Sequence, residues 1–283
     1  MSDDSLTPRV RARERFVAIA EGPDAAIDLG EAAALIAAED DPKARVVDQL
    51  NLLDRLAREA RPRVDKARSP RGRLEALSDY LFTELGFTGD HDDYYNPANS
   101  YLHMVLKRRL GIPISLSVLA IEVGRRLGMA MEGVSFPAHF LACDLDVPDH
   151  FVDAYHQGRI LDIGDCEAML DEMTGGQVTL RAEMLEPVPT RKILIRMLNN
   201  LKAIYVQKRD TVRALAAVDR ILLLEPRDGR QLRDRGLINL QAGRYGAGID
   251  DLEFYLDVFP RAEDRSLIQA QIAEAREHLE GTN

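Results

Sequence analysis

The hydrophobic period changes abruptly after Gly128, and that change limits the folds open to this chain. Upstream, apolar residues recur every three or four positions, as on helices with one buried face: Leu29, Ala33, Leu35 and Ile36, then Val46, Val47, Leu50, Leu53 and Leu56. Ser69 then Pro70 reads as an N-cap and a first-turn proline, and Leu74, Leu77, Leu81 and Leu85 continue a helix that stops at Gly86. "DDYYNPANS" is loop chemistry, with Asn99 or Ser100 placed to cap "YLHMVLKRRL", which ends at Gly111. "GIPISLSVLAIEVGRRLGM" follows, its Val118, Leu119, Ile121, Val123 and Leu127 dense enough for burial on most sides. Downstream of Gly128, "EGVSF", "HFLACDL", "HFVDAY" and "RILDIG" are short and rich in β-branched and aromatic residues. Pro137, Pro148 and Gly158 separate them, as turns separate antiparallel strands. A helical region thus precedes a small antiparallel sheet, so the expected class is α+β and not an alternating β–α order.

From about residue 190 the pattern is helical again, and it repeats. Pro226 in "LEPRD" and Pro260 in "VFPRAED" lie 34 residues apart, the period of a tetratricopeptide repeat. Leu198, Leu201, Tyr205, Ala214, Val218 and Ile221 fall where the first helix–turn–helix unit packs, and Gly236, Leu240, Tyr245, Ala247, Leu252 and Tyr255 fall in similar places in the second. "SLIQAQIAEAREHL" reads as a capping helix. Such arrays bind peptides or brace a neighbour, so a protein or peptide partner is expected here. The expected organisation is a flexible N-terminus over 1–27, an α+β domain over 28–185 and an all-α repeat domain over 190–283.

Charge and composition exclude several functions. Lys plus Arg number 37 against 47 Asp plus Glu, a net charge of −10, which argues against a nucleic-acid partner because phosphate binding needs a clustered positive field. The densest basic stretch, "RLAREARPRVDKARSPRGR", is broken by acids and prolines and reads as a solvated helix face and loop. No apolar tract reaches the ~18 residues of a membrane span, and the charged N-terminus lacks the apolar run of a secretory signal. A cytoplasmic location is the expectation. Two cysteines, Cys143 and Cys166, can build neither a disulfide framework nor a four-cysteine zinc site.

The chemistry-bearing residues fall in a suggestive order. Ser115 and Ser117 open a helix, His139 opens the strand in "FPAHFLACD", and Asp153 lies in the next strand, 14 residues on. A nucleophile at a helix N-terminus, with histidine and carboxylate on adjacent strands, is the arrangement of papain-like and transglutaminase-like enzymes. The helix end lowers a thiol's pKa, and the carboxylate orients the imidazole.

"NPANSYLHMVLKRRLGIPISLSVLAIEVGRRLGM", "GVSFPAHFLACD" and "ILDIGDC", followed by two tetratricopeptide-like units, resemble the SirB family of bacterial transglutaminase-like proteins. The resemblance runs from about residue 30 to the end and implies a transglutaminase-like (papain-like) core with a repeat tail. Active members of the wider superfamily use a Cys-His-Asp triad; carried over, His139 matches the histidine and Asp153 the aspartate. No cysteine occurs before Cys143, so the nucleophile position holds something else. That position falls on Ser115, and a shift of two residues would give Ser117 or Pro113.

Other candidates are weaker. Cys143 would lie about 13 Å from His139 along one strand at roughly 3.3 Å per residue, and Asp165 and Glu167 flank Cys166 and oppose a thiolate. His150, Asp153 and His156 suggest metal ligands, but on an extended strand the two histidines would stand about 20 Å apart. "HDDYY" at 91–95 is ordinary loop composition, and no phosphate-cradling glycine loop is present. Neither cofactor nor metal is expected. The expected function is that of a non-catalytic, protein-binding or regulatory pseudoenzyme, in which Ser115 or Ser117 caps the helix and the retained pocket binds. The alternative is a serine-dependent amidase or peptidase using Ser115, His139 and Asp153.

Overall fold

A computed structural model describes residues 7–280, which divide into two compact units between Met197 and Leu198. The first begins with α1 (Pro8–Glu21), capped by Thr7 and followed by a short turn at Asp24–Ala26. The expectation of a flexible segment over 1–27 is corrected from residue 8 onward; residues 1–6 lie outside the described residues. Ala12, Phe16 and Ala20 recur every fourth position, form one buried face of α1 and pack on α2 (Leu29–Asp40). Arg191 pins the end of α1 by donating to the carbonyls of Ala20 and Gly22 and, from its amide, to Asp24 Oδ1.

Next come α3 (Val46–Val64) and α4 (Pro70–Ser78). Ser69 Oγ accepts from the Gly72 amide and Pro70 holds the first turn, so this start matches its sequence signal. The leucine pattern from Leu74 to Leu85 continues through a wider, π-helical turn, Asp79–Glu84, before Gly86 reverses the chain at φ 73°. Two-residue strands β1 (Thr88–Gly89) and β2 (Leu110–Gly111) pair in parallel and bracket α5 (Leu102–Arg108). Neither Asn99 nor Ser100 caps α5, which starts after Tyr101 without a side-chain cap. Asn99 is instead buried, its side-chain amide donating to the Asp93 carbonyl and its oxygen accepting from Arg108.

Helix α6 (Pro113–Arg126) carries most of "GIPISLSVLAIEVGRRLGM" and is buried from Pro113 to Gly124. It packs on α2, α3, α4 and α5 and on the sheet strands β3 (Met131–Val134) and β4 (Leu141–Asp144). Antiparallel strands β5 (Phe151–Asp153) and β6 (Arg159–Leu161) follow, then α7 (Ile163–Thr174) and β7 (Pro187–Val188). The sheet order is β6-β5-β4-β3-β7, so the four expected strands form a meander and β7 adds an edge that the sequence pattern did not reveal. Val134, Phe136, Leu141, Cys143, Phe151, Leu161, Cys166 and Leu170 build one apolar cluster between the strands and α7.

Helix α8 (Thr190–Gln207) begins in the first unit and ends in the second. The division comes later than the expected 185–190 because its start belongs to the sheet. Ile193 packs against Gly133, and Arg196 donates to Ser135 Oγ and to the His139 carbonyl, both at 3.0 Å. The second unit comprises the rest of α8, α9 (Thr211–Leu224), α10 (Gly229–Gln241), α11 (Tyr245–Val258) and α12 (Arg265–Glu280). Pro226 and Pro260 each lie just beyond the end of a repeat's second helix, and α12 closes the array through Ile268, Ile272 and Ala275. Gly236 and Gly248 let α10 and α11 approach closely: a Cβ on Gly236 would meet Leu252 at 2.6 Å and the Gly248 carbonyl at 3.2 Å.

Candidate functional site

The N-terminus of α6, the loop before β4 and the turn after β5 surround a cleft of about 850 Å³. His91, Tyr94, Pro113, His139, Tyr155 and His156 are among the residues that line it. His139 does not open β4; it sits just before it, after Ala138 in the left-handed region at φ 53°, and its carbonyl is held by Arg196. Asp153 closes β5. The chain then turns sharply through Gln157 and Gly158, at φ 58° and 70°, with the Gly158 amide donating to the Asp153 carbonyl.

That turn brings three titratable side chains together. His139 Nε2 lies 2.8 Å from Asp153 Oδ1, and His156 Nδ1 lies 2.6 Å from Asp153 Oδ2. The residues differ in exposure: His139 is 4% exposed, Asp153 1%, and the His156 side chain 49%. The imidazoles of His139 and His156 stack at 5.7 Å between centroids, with Tyr155 edge-on to both. Burial alone would raise the Asp153 pKa, but the hydrogen bonds from His139 and then His156 outweigh it and hold the carboxyl below its ordinary value. Asp153 is thus a buried carboxylate that orients two rings.

The serines do not join this group. Ser115 Oγ is buried, donates to the Asn99 carbonyl at 2.6 Å and accepts from the Ile112 amide at 3.1 Å, as the third residue of a capping box does. Among the described residues no hydrogen bond links it to His139. The expected candidate triad of Ser115, His139 and Asp153 is therefore assembled only as the His139–Asp153 pair. Ser117 Oγ donates to the Phe140 carbonyl at 3.3 Å and is fully buried. Pro113, the first residue of α6, is the one of the three that lines the cleft.

Both thiols are buried outside the cleft lining. Burial, then the charges of Glu132 and Asp144, pushes Cys143 up to about 12. Burial, then Asp165, Asp162 and Asp153, pushes Cys166 up to about 12 as well. His150 stands apart, with Nδ1 near the Pro148 carbonyl and Nε2 2.9 Å from Arg71. The extended-strand premise that separated His156 from any cluster fails at the turn after Asp153, and the partner gained is His139, not His150. His91, Tyr94 and Tyr155 were also missed as cleft walls. Gly158, a chain breaker shortly after a strand, was the available signal for the turn. Asp93 belongs to a loop hydrogen-bond network with Asn96, while Asp90 accepts from the Asp93 amide and from Arg108.

Residues 48–199 match the transglutaminase-like superfamily, more than half of the chain. The chain belongs to the transglutaminase-like superfamily. Residues 201–273 match tetratricopeptide repeats, so this transglutaminase-like protein carries repeats of a kind that generally mediate protein–protein interaction. A UPF0162 protein of Xylella fastidiosa is 42% identical over 207 residues, covering 71% of this chain and 73% of its own. A UPF0162 protein of Vibrio cholerae is 30% identical over 223 residues, covering 78% and 82%. The transglutaminase-like chain is thereby a member of the UPF0162 family. F-box only protein 21 of Mus musculus is 40% identical over 137 residues, covering 45% of this chain and 21% of its own. No solved structure matches. Among the described residues, no helix is long and apolar enough to cross a membrane.

Proposed function

We propose that this chain is a SirB-type transglutaminase-like protein without acyl-transfer chemistry, which holds a polypeptide segment in the cleft beside His139 and recruits a protein partner through its repeats. The observation that carries the reading is Pro113 at the start of α6, in the same cleft as His139. A thiol at this place would meet the positive end of the helix. A proline there offers only ring carbons and an amide nitrogen, and none of these is a nucleophile. The hydrogen bonds of Ser115 to Asn99 and Ile112 weigh against the serine-dependent amidase or peptidase, because the hydroxyl proton that His139 would have to remove is directed elsewhere. The aromatic walls of the cleft suit a peptide's side chains.

The repeat unit offers a second surface, a groove of about 1060 Å³ between the turns that follow α9 and α11. Val258 and Phe259 are among its apolar residues, and Arg227, Arg230 and Arg261 outnumber Glu225 and Asp228 in its lining. An acidic, partly apolar segment complements it. The proposed setting is the cytoplasm.

The test is a screen of the full-length protein for amine incorporation and amide hydrolysis, with His139→Ala alongside. The expected result is no turnover above background for either. Turnover by the wild type that His139→Ala abolishes would contradict the reading.

A further inference from the structure

We propose that His139, Asp153 and His156 form a binding site for one divalent transition metal, zinc foremost. One donor atom from each residue lies within 4.8 Å of the others. Tetrahedral ligands on one ion, at metal–nitrogen bonds of about 2.0–2.1 Å, stand ~3.4 Å apart, a separation that small side-chain shifts reach from here. Two imidazoles and a carboxylate are a donor set that suits zinc and its first-row neighbours better than magnesium or calcium.

Three features of the surroundings favour an ion there. First, Asp153 is buried, and among the described residues no lysine or arginine pairs with it, so its charge is met by two imidazoles and the His156 amide. A buried carboxylate is costly without a full positive charge nearby, and a dication supplies one. Second, the ligand-bearing segments are braced: Arg196 holds the His139 carbonyl, and Ser78 Oγ donates to the Gly158 carbonyl at the end of the His156 turn. Third, the half-exposed His156 opens the site to the cleft, which gives the ion an entry path and leaves its remaining positions facing the cleft.

The proton balance is simple. Each ring now presents an N–H to Asp153, a tautomer inferred from its carboxylate partner. On coordination the ring proton moves to the other nitrogen of the same imidazole, the freed lone pair binds the ion, and no electron is transferred. Cys143 and Cys166 are not part of the site. The inference rests on the three-residue geometry and not on the occupant of the nucleophile position, so it can fail while the proposed function stands, and the reverse.

The test uses full-length, tag-free, metal-stripped protein, titrated with Zn2+ by calorimetry and with Co2+ by visible absorption. The expected result is one ion per chain, cobalt ligand-field bands without thiolate-to-metal charge transfer, and Zn2+-induced shifts of the His139 and His156 ring resonances in the wild type. His156→Ala should weaken Zn2+ binding by more than the ~10–100-fold that losing an outer-shell partner costs. His150→Ala, outside the cluster, should leave it unchanged. Circular dichroism checks the fold of each variant, and the wild-type ring resonances decide the matter should His156→Ala misfold. Absence of saturable one-to-one binding, a thiolate charge-transfer band, or ring shifts confined to other histidines would overturn the proposal.

Discussion

Ser115 has both hydrogen-bonding roles of its hydroxyl occupied inside the fold, and the consequence is a stability effect in place of a chemical one. Removing Oγ strips a partner from the Ile112 amide and the Asn99 carbonyl in a site that is 1% exposed. Ser115→Ala should therefore lower unfolding free energy by about 1–2 kcal/mol, measured by denaturant titration, and leave ligand binding in the cleft unchanged. Asp90 supports a pH prediction. Burial raises its pKa, but acceptance from the Asp93 amide and from Arg108, with the Asn99 amide close by, overcomes that and leaves it below the ordinary carboxylate value. A depressed folded-state pKa means that the contribution is fully present above the unfolded value of ~3.9 and is lost as pH falls through the lower folded value. Asp90→Asn should cost about 1–3 kcal/mol at pH 7, with the gap from wild type closing as pH drops below about 4. A gap that stays constant with pH would remove Asp90 as its source.

At the scale of elements, the turn between β5 and β6 decides the site. Gly158 lies at φ 70°, and a Cβ there would meet Phe82 at 2.2 Å and Ser78 Oγ at 2.3 Å. Gly158→Ala combines the ~1–2 kcal/mol cost of a left-handed non-glycine residue with that clash. It should lower the melting temperature and shift the His156 ring resonances, read by thermal unfolding and NMR. This turn also marks where sequence reading ran out. Strands and amphipathic helices announce themselves by period, and the His139–Asp153 pairing is suggested by their order, one residue just before a strand and the other at the end of its neighbour. His156 does not, because its position depends on a reversal that two residues of positive φ create. Helix α1 was masked by its small alanines among arginines, and two-residue β7 is too short to show any alternation. The cap of α5 was misread because Asn99 is drawn inward by Asp93 and Arg108.

At the scale of the whole molecule, two units carry separate cores: the α6-centred layers of the first, and the Leu252–Ile272 cluster of the second. Leu252→Ala, at a site with no exposure, should destabilise the repeat unit by about 2–5 kcal/mol. Denaturation followed by a probe in each unit would detect it, and the His139–Asp153–His156 cluster should keep its resonances. The proposed function puts Pro113 in the nucleophile's place of a transglutaminase-like cleft, and Pro113→Cys is the sharpest probe of that assignment. The measurement is the pH dependence of alkylation of the introduced thiol by iodoacetamide, with and without His139→Ala. The expected result is a thiolate formed well below the ~8.5 of a free cysteine, with that depression diminished when His139 is removed. An introduced thiol that titrates like a free cysteine, indifferent to His139, would contradict it.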